Sequence, residues 1–218
     1  MSGRPIVVAI TGASGVIYAV RLLQVLAQQE TEIHLTLSPS GGAVIQEELG
    51  LKLDVRAPDL AKLIGYVPPW TESDQAKRMA ETAVEQLDAR FRFHRYDDYM
   101  TPIASGSFQT KAMVVCPCSG STLSGIARAA ASNLIQRAAE VHLKEHRKLV
   151  LVPRETPLSV LQLENMHRLA AAGAVMLPAM PGWYHGVESL DSMVNFVVCR
   201  ILDQLDVPND LMKRWGES

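Results

Sequence analysis

Apolar and polar residues follow two different periods along this chain, and each period changes at a glycine- or proline-containing turn. Ile6-Val7-Val8-Ala9-Ile10 is a continuous apolar run, as a strand buried on both faces requires. Thr11-Gly12-Ala13-Ser14-Gly15 breaks that run as a turn. Beyond it Val16, Ala19, Val20, Leu23, Leu26 and Ala27 recur at three- and four-residue spacing, the apolar stripe of a helix lying on a sheet. Ile33-His34-Leu35-Thr36-Leu37 is a second strand, ending at Ser38, which completes a βαβ unit. The same grammar returns later, with Ala112 to Cys116 as a strand, a Pro/Ser/Gly turn through Gly120 and a helix beginning near Ser121. Lys148 to Val152 and Ala174 to Leu177 are two further apolar strands, separated by a helical stretch from about Leu158 to Ala172.

Strands alternating with helices in this way predict an α/β fold of Rossmann-like type, a doubly wound parallel sheet in a three-layer sandwich. In such sheets ligands lie beyond the carboxyl ends of the strands, so the turns at Gly12 to Gly15, at Ser38, at Cys118 to Thr122 and at Pro153 to Thr156 are expected to converge. Residues 65–98 break the rhythm, joining Val67-Pro68-Pro69-Trp70 to a charged helical stretch from Thr71 to Arg90. They read as a surface excursion or an oligomer contact. The last helix is expected from Ser189, as its N-cap, to Leu205, and residues 206–218 form a polar tail. Residues 1–218 are read as one domain.

Composition narrows the function classes. Hydrophobic residues at 48% and charged residues at 20% describe a folding, globular chain. A formal net charge of -2 argues against a nucleic-acid binder, which needs a basic surface. The run Ile6 to Ile10 is too short to span a bilayer and carries no cleavage pattern, so a cytoplasmic protein without membrane insertion is expected. Cys116, Cys118 and Cys199 are an odd number without paired knuckles, and Pro117 stiffens the backbone between the first two. Reduced thiols and no metal site are expected.

Three groups of small hydroxyl residues carry the candidate chemistry. Gly12, Ala13, Ser14 and Gly15, where a strand feeds a helix, offer backbone N–H groups, a hydroxyl and a positive helix terminus to an anion; a plain tight turn is the other reading. Ser105-Gly106-Ser107 and Ser119-Gly120-Ser121-Thr122 repeat the pattern, with helix capping as the alternative for the second. All three facing one edge would suit a polyhydroxylated phosphate ligand such as FMN. Pro153-Arg154-Glu155-Thr156-Pro157 brackets a charged pair between prolines at a strand end. Arg154 can clamp a phosphate or a ring carbonyl, and Glu155 can carry a proton; a surface ion pair is the alternative. Arg137 and Lys144 share a helical face, which is solvated in the ordinary case. Trp183 and Tyr184 could wall a flat ring or an allylic cation, with Trp183 as core the alternative, and Tyr184 with Arg200 could grip a second phosphate.

Taken in order, Thr11 to Gly15, Ala104 to Ser107, Cys116-Pro117-Cys118-Ser119 with Thr122-Leu123, Arg137 to Glu140, Leu143-Lys144-Glu145, Val152 to Pro157 and Tyr184-His185 resemble the flavin prenyltransferase family. These proteins are called UbiX-like, and older members were labelled aromatic acid decarboxylases. The resemblance runs nearly end to end. It implies a metal-independent prenyltransferase, assembled as a homododecamer with sites shared between subunits. The implied reaction moves a dimethylallyl group from dimethylallyl monophosphate to reduced FMN, at N5 and then C6, and prenylated FMN then serves a UbiD-like decarboxylase. By position the resemblance assigns Gly12, Ala13, Ser14, Ser38, Ser119, Gly120, Ser121, Thr122 and Arg154 to FMN. Ser105 and Ser107 join that group, and Tyr184 and Arg200, with Arg137, go to the prenyl phosphate. Lys144 of a neighbouring subunit would join that phosphate site, Ser14 and Glu155 would assist phosphate departure and proton movement, and Tyr99 would be an aromatic wall. An FMN-dependent peptidyl-cysteine decarboxylase shares the fold, but its Pro-Ala-Ser-Ala-Asn-Thr pattern is replaced here by Pro117-Cys118-Ser119-Gly120-Ser121-Thr122. A non-catalytic FMN carrier is the third reading.

Overall fold

The structure is a computed structural model and describes residues 3–184, 186–214 and 216. Six strands form one parallel sheet: β1 (Ile6–Ile10), β2 (Ile33–Leu37), β3 (Phe91–Arg95), β4 (Ala112–Cys118), β5 (Lys148–Pro153) and β6 (Val175–Met176), in the order β3-β2-β1-β4-β5-β6. Strand β1 is central, pairing Ile6 to Ile33 on one side and Ile6 to Ala112 on the other. Its side chains divide between the two cores. Ile6, Val8 and Ile10 enter the apolar layer beneath α1 (Val16–Leu26) and α9 (Leu190–Gln204), whereas Val7 and Ala9 enter the layer beneath α6 (Gly120–Ala127), α7 (Leu134–Lys144) and α8 (Val160–Ala171). Burial on both faces is why the run is apolar without alternation.

Strands β1, β2, β4 and β5, the helices α1, α6, α8 and α9, and the Ser189 cap stand within two residues of their sequence expectations. Residues 65–98 do not. Phe91-Arg92-Phe93-His94-Arg95 is no surface excursion but the edge strand β3, parallel to β2 through the pairs Phe91–Ile33 to Arg95–Leu37. Phe91 and Phe93 turn to the core while Arg92 and His94 face the other way, a period-two pattern proper to an edge strand. The preceding helices α4 (Asp74–Glu85) and α5 (Leu87–Arg90) carry the charged stretch, and α4 packs on α1. Two helices between β2 and β3 were not foreseen, α2 (Pro39–Leu49) and α3 (Leu60–Ile64). The Gly41-Gly42 pair gives α2 a poor helical propensity, offset by the Ser38 cap and by Pro39 at its first position.

Among the described residues no helix is long and apolar enough to cross a membrane. Cys116, Cys118 and Cys199 are buried free thiols, and burial pushes the Cys118 thiol up to about 12.

Two buried imidazole systems tie the second layer together. His34 Nδ1 and His94 Nε2 share a hydrogen bond of 2.8 Å between stacked rings, and His34 Nε2 reaches Glu32 at 3.1 Å. His142 bonds the Ala138 carbonyl at 2.7 Å and Thr110 Oγ1 at 2.8 Å. Burial pushes His94 down to about 4, with His34 acting in the same direction, and burial likewise takes His142 to about 4. The unfolded chain therefore takes up protons below about pH 6.5 that the folded chain refuses until about pH 4, so stability is complete above that window and lost as pH falls through it. Urea unfolding between about pH 7 and pH 4.5 should show a falling midpoint, with a shallower fall in His94→Gln; a level midpoint would mean these rings become charged at no cost.

Candidate active site

The strand order reverses between β1 and β4, and the segments leaving these two strands diverge to open a crevice at the carboxyl edge of the sheet. Thr11, fully buried, joins its two walls. Its hydroxyl donates to the Pro117 carbonyl at 2.7 Å and accepts the Ser119 N–H at 2.8 Å, while its own N–H reaches Pro117 O at 3.3 Å. The turn from β2 meets the same wall. Ser38 N–H donates to Ile10 O at 3.0 Å, and a Cβ at Gly12 would stand 2.5 Å from that of Ser40, so this contact needs glycine. The Ser38 hydroxyl caps α2 by accepting the Gly41 N–H at 3.0 Å. Ser119 caps α6 and donates to Thr122 Oγ1 at 3.0 Å, with Ser121 Oγ 3.2 Å away.

The fourth turn arrives from β5. Glu155 accepts a hydrogen bond from Gln162 Nε2 at 3.3 Å, and that amide lies against Gly120, where a Cβ would meet it at 3.3 Å. Gln162 is itself fixed by the capping box of α8 with Ser159. Arg154 stands beside Tyr18: burial pushes the Tyr18 phenol up, Cys116 adds to this, Arg154 pulls it back and Glu48 raises it again. The four expected turns thus converge.

One expectation about the first turn is corrected. The positive end of α1 does receive an anion, but it is Glu48 of α2, whose carboxylate accepts the N–H groups of Gly15 and Val16 at 3.0 Å. No pattern of spacing pointed to Glu48, since it lies 33 residues from Gly15. The N–H groups of Gly12 and Ser14 keep no protein partner among the described residues, so donors remain one step earlier in the turn.

Other expected site residues lie apart. Ser105 and Ser107 are hydrogen-bonded to each other at 2.8 Å, and they are not at the carboxyl edge. Between them, the Gly106 carbonyl accepts from Arg147, just before β5 begins, and Lys144 and Glu145 form an ion pair against Gly106. The expectation that this serine pair joins the other turns within one chain is therefore corrected. Arg137 bonds the Ala104 carbonyl at 3.1 Å, and Tyr99 is exposed in the loop leading to the same segment. Tyr184 and Arg200 form a third place: Tyr184 meets Phe196 edge-on at 5.9 Å, one helical turn before Arg200. Trp183 is exposed rather than core, and His185 lies outside the described residues.

A family profile described as Flavoprotein matches residues 1–202. A protein of Pseudomonas aeruginosa named flavin prenyltransferase UbiX is 45% identical over 219 residues, covering 100% of this chain and 97% of its own. This chain belongs to the flavin prenyltransferase family. Among solved structures it is similar to AnUbiX (PadA1), solved in complex with FMN and dimethylallyl pyrophosphate, at 34% identity and a TM-score of 0.78 over 99% of this chain and 98% of that one. A dodecameric FMN-dependent UbiX-like decarboxylase from Escherichia coli O157:H7 matches with 36% identity and a TM-score of 0.78, over 98% of this chain and 100% of its own.

The crevice of this family member fits FMN on its own chemistry. Arg154 Nε is buried with no partner among the described residues, an orphaned donor that a ligand acceptor would satisfy. The open N–H groups of Gly12 and Ser14, together with the Ser38, Ser119, Ser121 and Thr122 hydroxyls, suit a phosphate and a polyol chain. Thr11→Val keeps the shape of the buried side chain and leaves the Ser119 N–H unpaired. The expected cost is about 1–3 kcal/mol of stability together with at least about tenfold weaker FMN binding, while Thr11→Ser retains both. Calorimetric titration with FMN and thermal unfolding check this, and wild-type affinity in the valine variant would remove the bridge from the site's construction.

Proposed function

We propose that this chain transfers a dimethylallyl group from dimethylallyl monophosphate to reduced FMN, making prenylated FMN. The observation that carries the reading is the orphaned Arg154 donor beside Glu155 in a crevice of hydroxyls and open N–H groups, in a chain of this family. Reduced FMN supplies the nucleophilic positions, N5 and then C6, that accept the five-carbon unit. Gly12, Ala13, Ser14, Ser38, Ser119, Gly120, Ser121, Thr122 and Arg154 bind and orient it. Tyr184, Arg200, Arg137 and Lys144 hold the donor's phosphate, whose charge grows as the carbon–oxygen bond breaks; fixed cations aimed there lower the barrier without a metal. Ser14 and Glu155 move the protons of phosphate departure and of ring closure at the flavin. Tyr99 lends an aromatic face to the allylic cation.

Lys144, Arg137, Tyr99, Ser105 and Ser107 lie away from the crevice of their own chain, and we assign them to the crevice of a neighbouring copy within a homododecamer. The solved Escherichia coli relative, which is dodecameric, supports this reading. We place the protein in the cytoplasm, delivering its product to a UbiD-like decarboxylase. The cysteine decarboxylase alternative is set aside, because curated relatives at 42% and 45% identity over nearly the whole chain are named flavin prenyltransferases.

Anaerobic incubation of the protein with reduced FMN and dimethylallyl monophosphate, followed by mass analysis of the extracted flavin, should show the gain of one C5 unit. Flavin returned unmodified with both the monophosphate and the diphosphate would favour a carrier. Glu155→Gln should bind FMN as the wild type does and slow prenylation by about a hundredfold or more, the range of a lost general acid–base. Unchanged turnover in that variant would take the proton role away from Glu155.

A further inference from the structure

Helix α9 carries Phe196, Arg200 and Asp203 at spacings of four and three, which lines them along one stripe. Tyr184 closes on Phe196, so two of the residues assigned to the donor phosphate, Tyr184 and Arg200, stand at this stripe. Asp203, with its side chain 18% exposed, accepts from Arg200 Nη1 at 2.8 Å. The same carboxylate takes both terminal nitrogens of Arg214, at 2.8 and 3.2 Å. Arg214 hydrogen bonds first, then the charges of Arg214 and Arg200, hold the Asp203 carboxyl below its ordinary range.

Arg214 comes from the tail that the sequence presents as a polar appendage, yet that tail is built into the fold. Val207 is buried, Leu211 and Met212 pack on the core beneath α9, and Asp206 pairs with Lys148 at 3.2 Å. These anchors deliver the second guanidinium to the flank of Arg200. Two guanidinium groups flank one carboxylate, and both side chains stay open to solvent, at 48% for Arg200 and 42% for Arg214. A phosphate is the natural ligand of such a pair, because solvent-open guanidinium forks match its oxygens in pairs and carry the opposite charge.

We infer that Arg214 is a further ligand of the donor phosphate and that Asp203 is the positioning residue that holds it beside Arg200. The inference rests on the reading that Tyr184 and Arg200 bind that phosphate. The full-length assembled protein, loaded with reduced FMN, is assayed for prenylation over a range of dimethylallyl monophosphate concentrations, as wild type and as Arg200→Ala, Arg214→Ala and Arg214→Lys. Both alanine variants should raise KM for the monophosphate by about tenfold or more, with kcat less affected, and Arg214→Lys should recover most of the loss by keeping the charge. FMN affinity and thermal midpoint, measured alongside, should stay near wild type, which a merely structural role for Arg214 would not allow. A KM within about twofold of wild type in Arg214→Ala, beside a raised KM in Arg200→Ala, overturns the inference and leaves the phosphate site standing. The inference is equally overturned if FMN affinity and melting fall in step with KM. An unchanged KM in Arg200→Ala removes the phosphate site itself, and the inference with it.

Discussion

The Thr11 hydroxyl is the constraint on which the crevice depends. A sheet that winds outward from its middle leaves a gap between β1 and β4 by topology alone, but topology does not set the width or shape of that gap. Here a short side chain sets it, donating to one residue of the β4 end and accepting from another, in a fully buried place. Gly12, Ala13 and Ser14 continue from one side of that bridge and Ser119, Ser121 and Thr122 from the other. Their mutual placement is thus inherited from two hydrogen bonds and not from the flexibility of the loops.

Helix termini supply the electrostatic counterpart. Helices α1, α2 and α6 all begin at the carboxyl edge, each bringing unpaired N–H groups and a positive dipole end. Two of them are capped by their own serines, Ser38 and Ser119, and the third by the carboxylate of Glu48. With donors of each end already engaged by these caps, Arg154 adds a fixed charge aimed at a ligand. The crevice can then distinguish a ligand by where its acceptors fall, and not only by its being an anion.

Much of this was readable before the fold was known, for a physical reason. Central strands such as β1 and β4 are buried on both faces, so their apolar runs leave little ambiguity, and the turns after them must lie at one edge. Strand β3 was missed because an edge strand keeps one face polar. The alternation of Phe91 and Phe93 with Arg92 and His94 was its signal, obscured by the charged helix before it. Helix α2 was missed because its two glycines argue against a helix that only the tertiary contact to Gly12 and Ile10 demands. At the site, residues that act through their own turn were legible, whereas Glu48 and Asp203 act across tertiary contacts and carry no local signature. Ser105 and Ser107 read like the other hydroxyl clusters, yet the chain carries them toward the opposite edge, which composition cannot reveal.

The Thr11 bridge also has a history within each molecule. Its two halves are 106 residues apart, so at ordinary rates of synthesis roughly 5–20 s pass between the appearance of Thr11 and that of Pro117. During that interval the first βαβ unit carries β1 with one hydrogen-bonding edge open, in the position that β4 will later fill. The crevice therefore cannot exist until synthesis has passed the midpoint of the chain. A nascent chain halted before residue 112 contains the whole glycine turn and no place to bind a flavin.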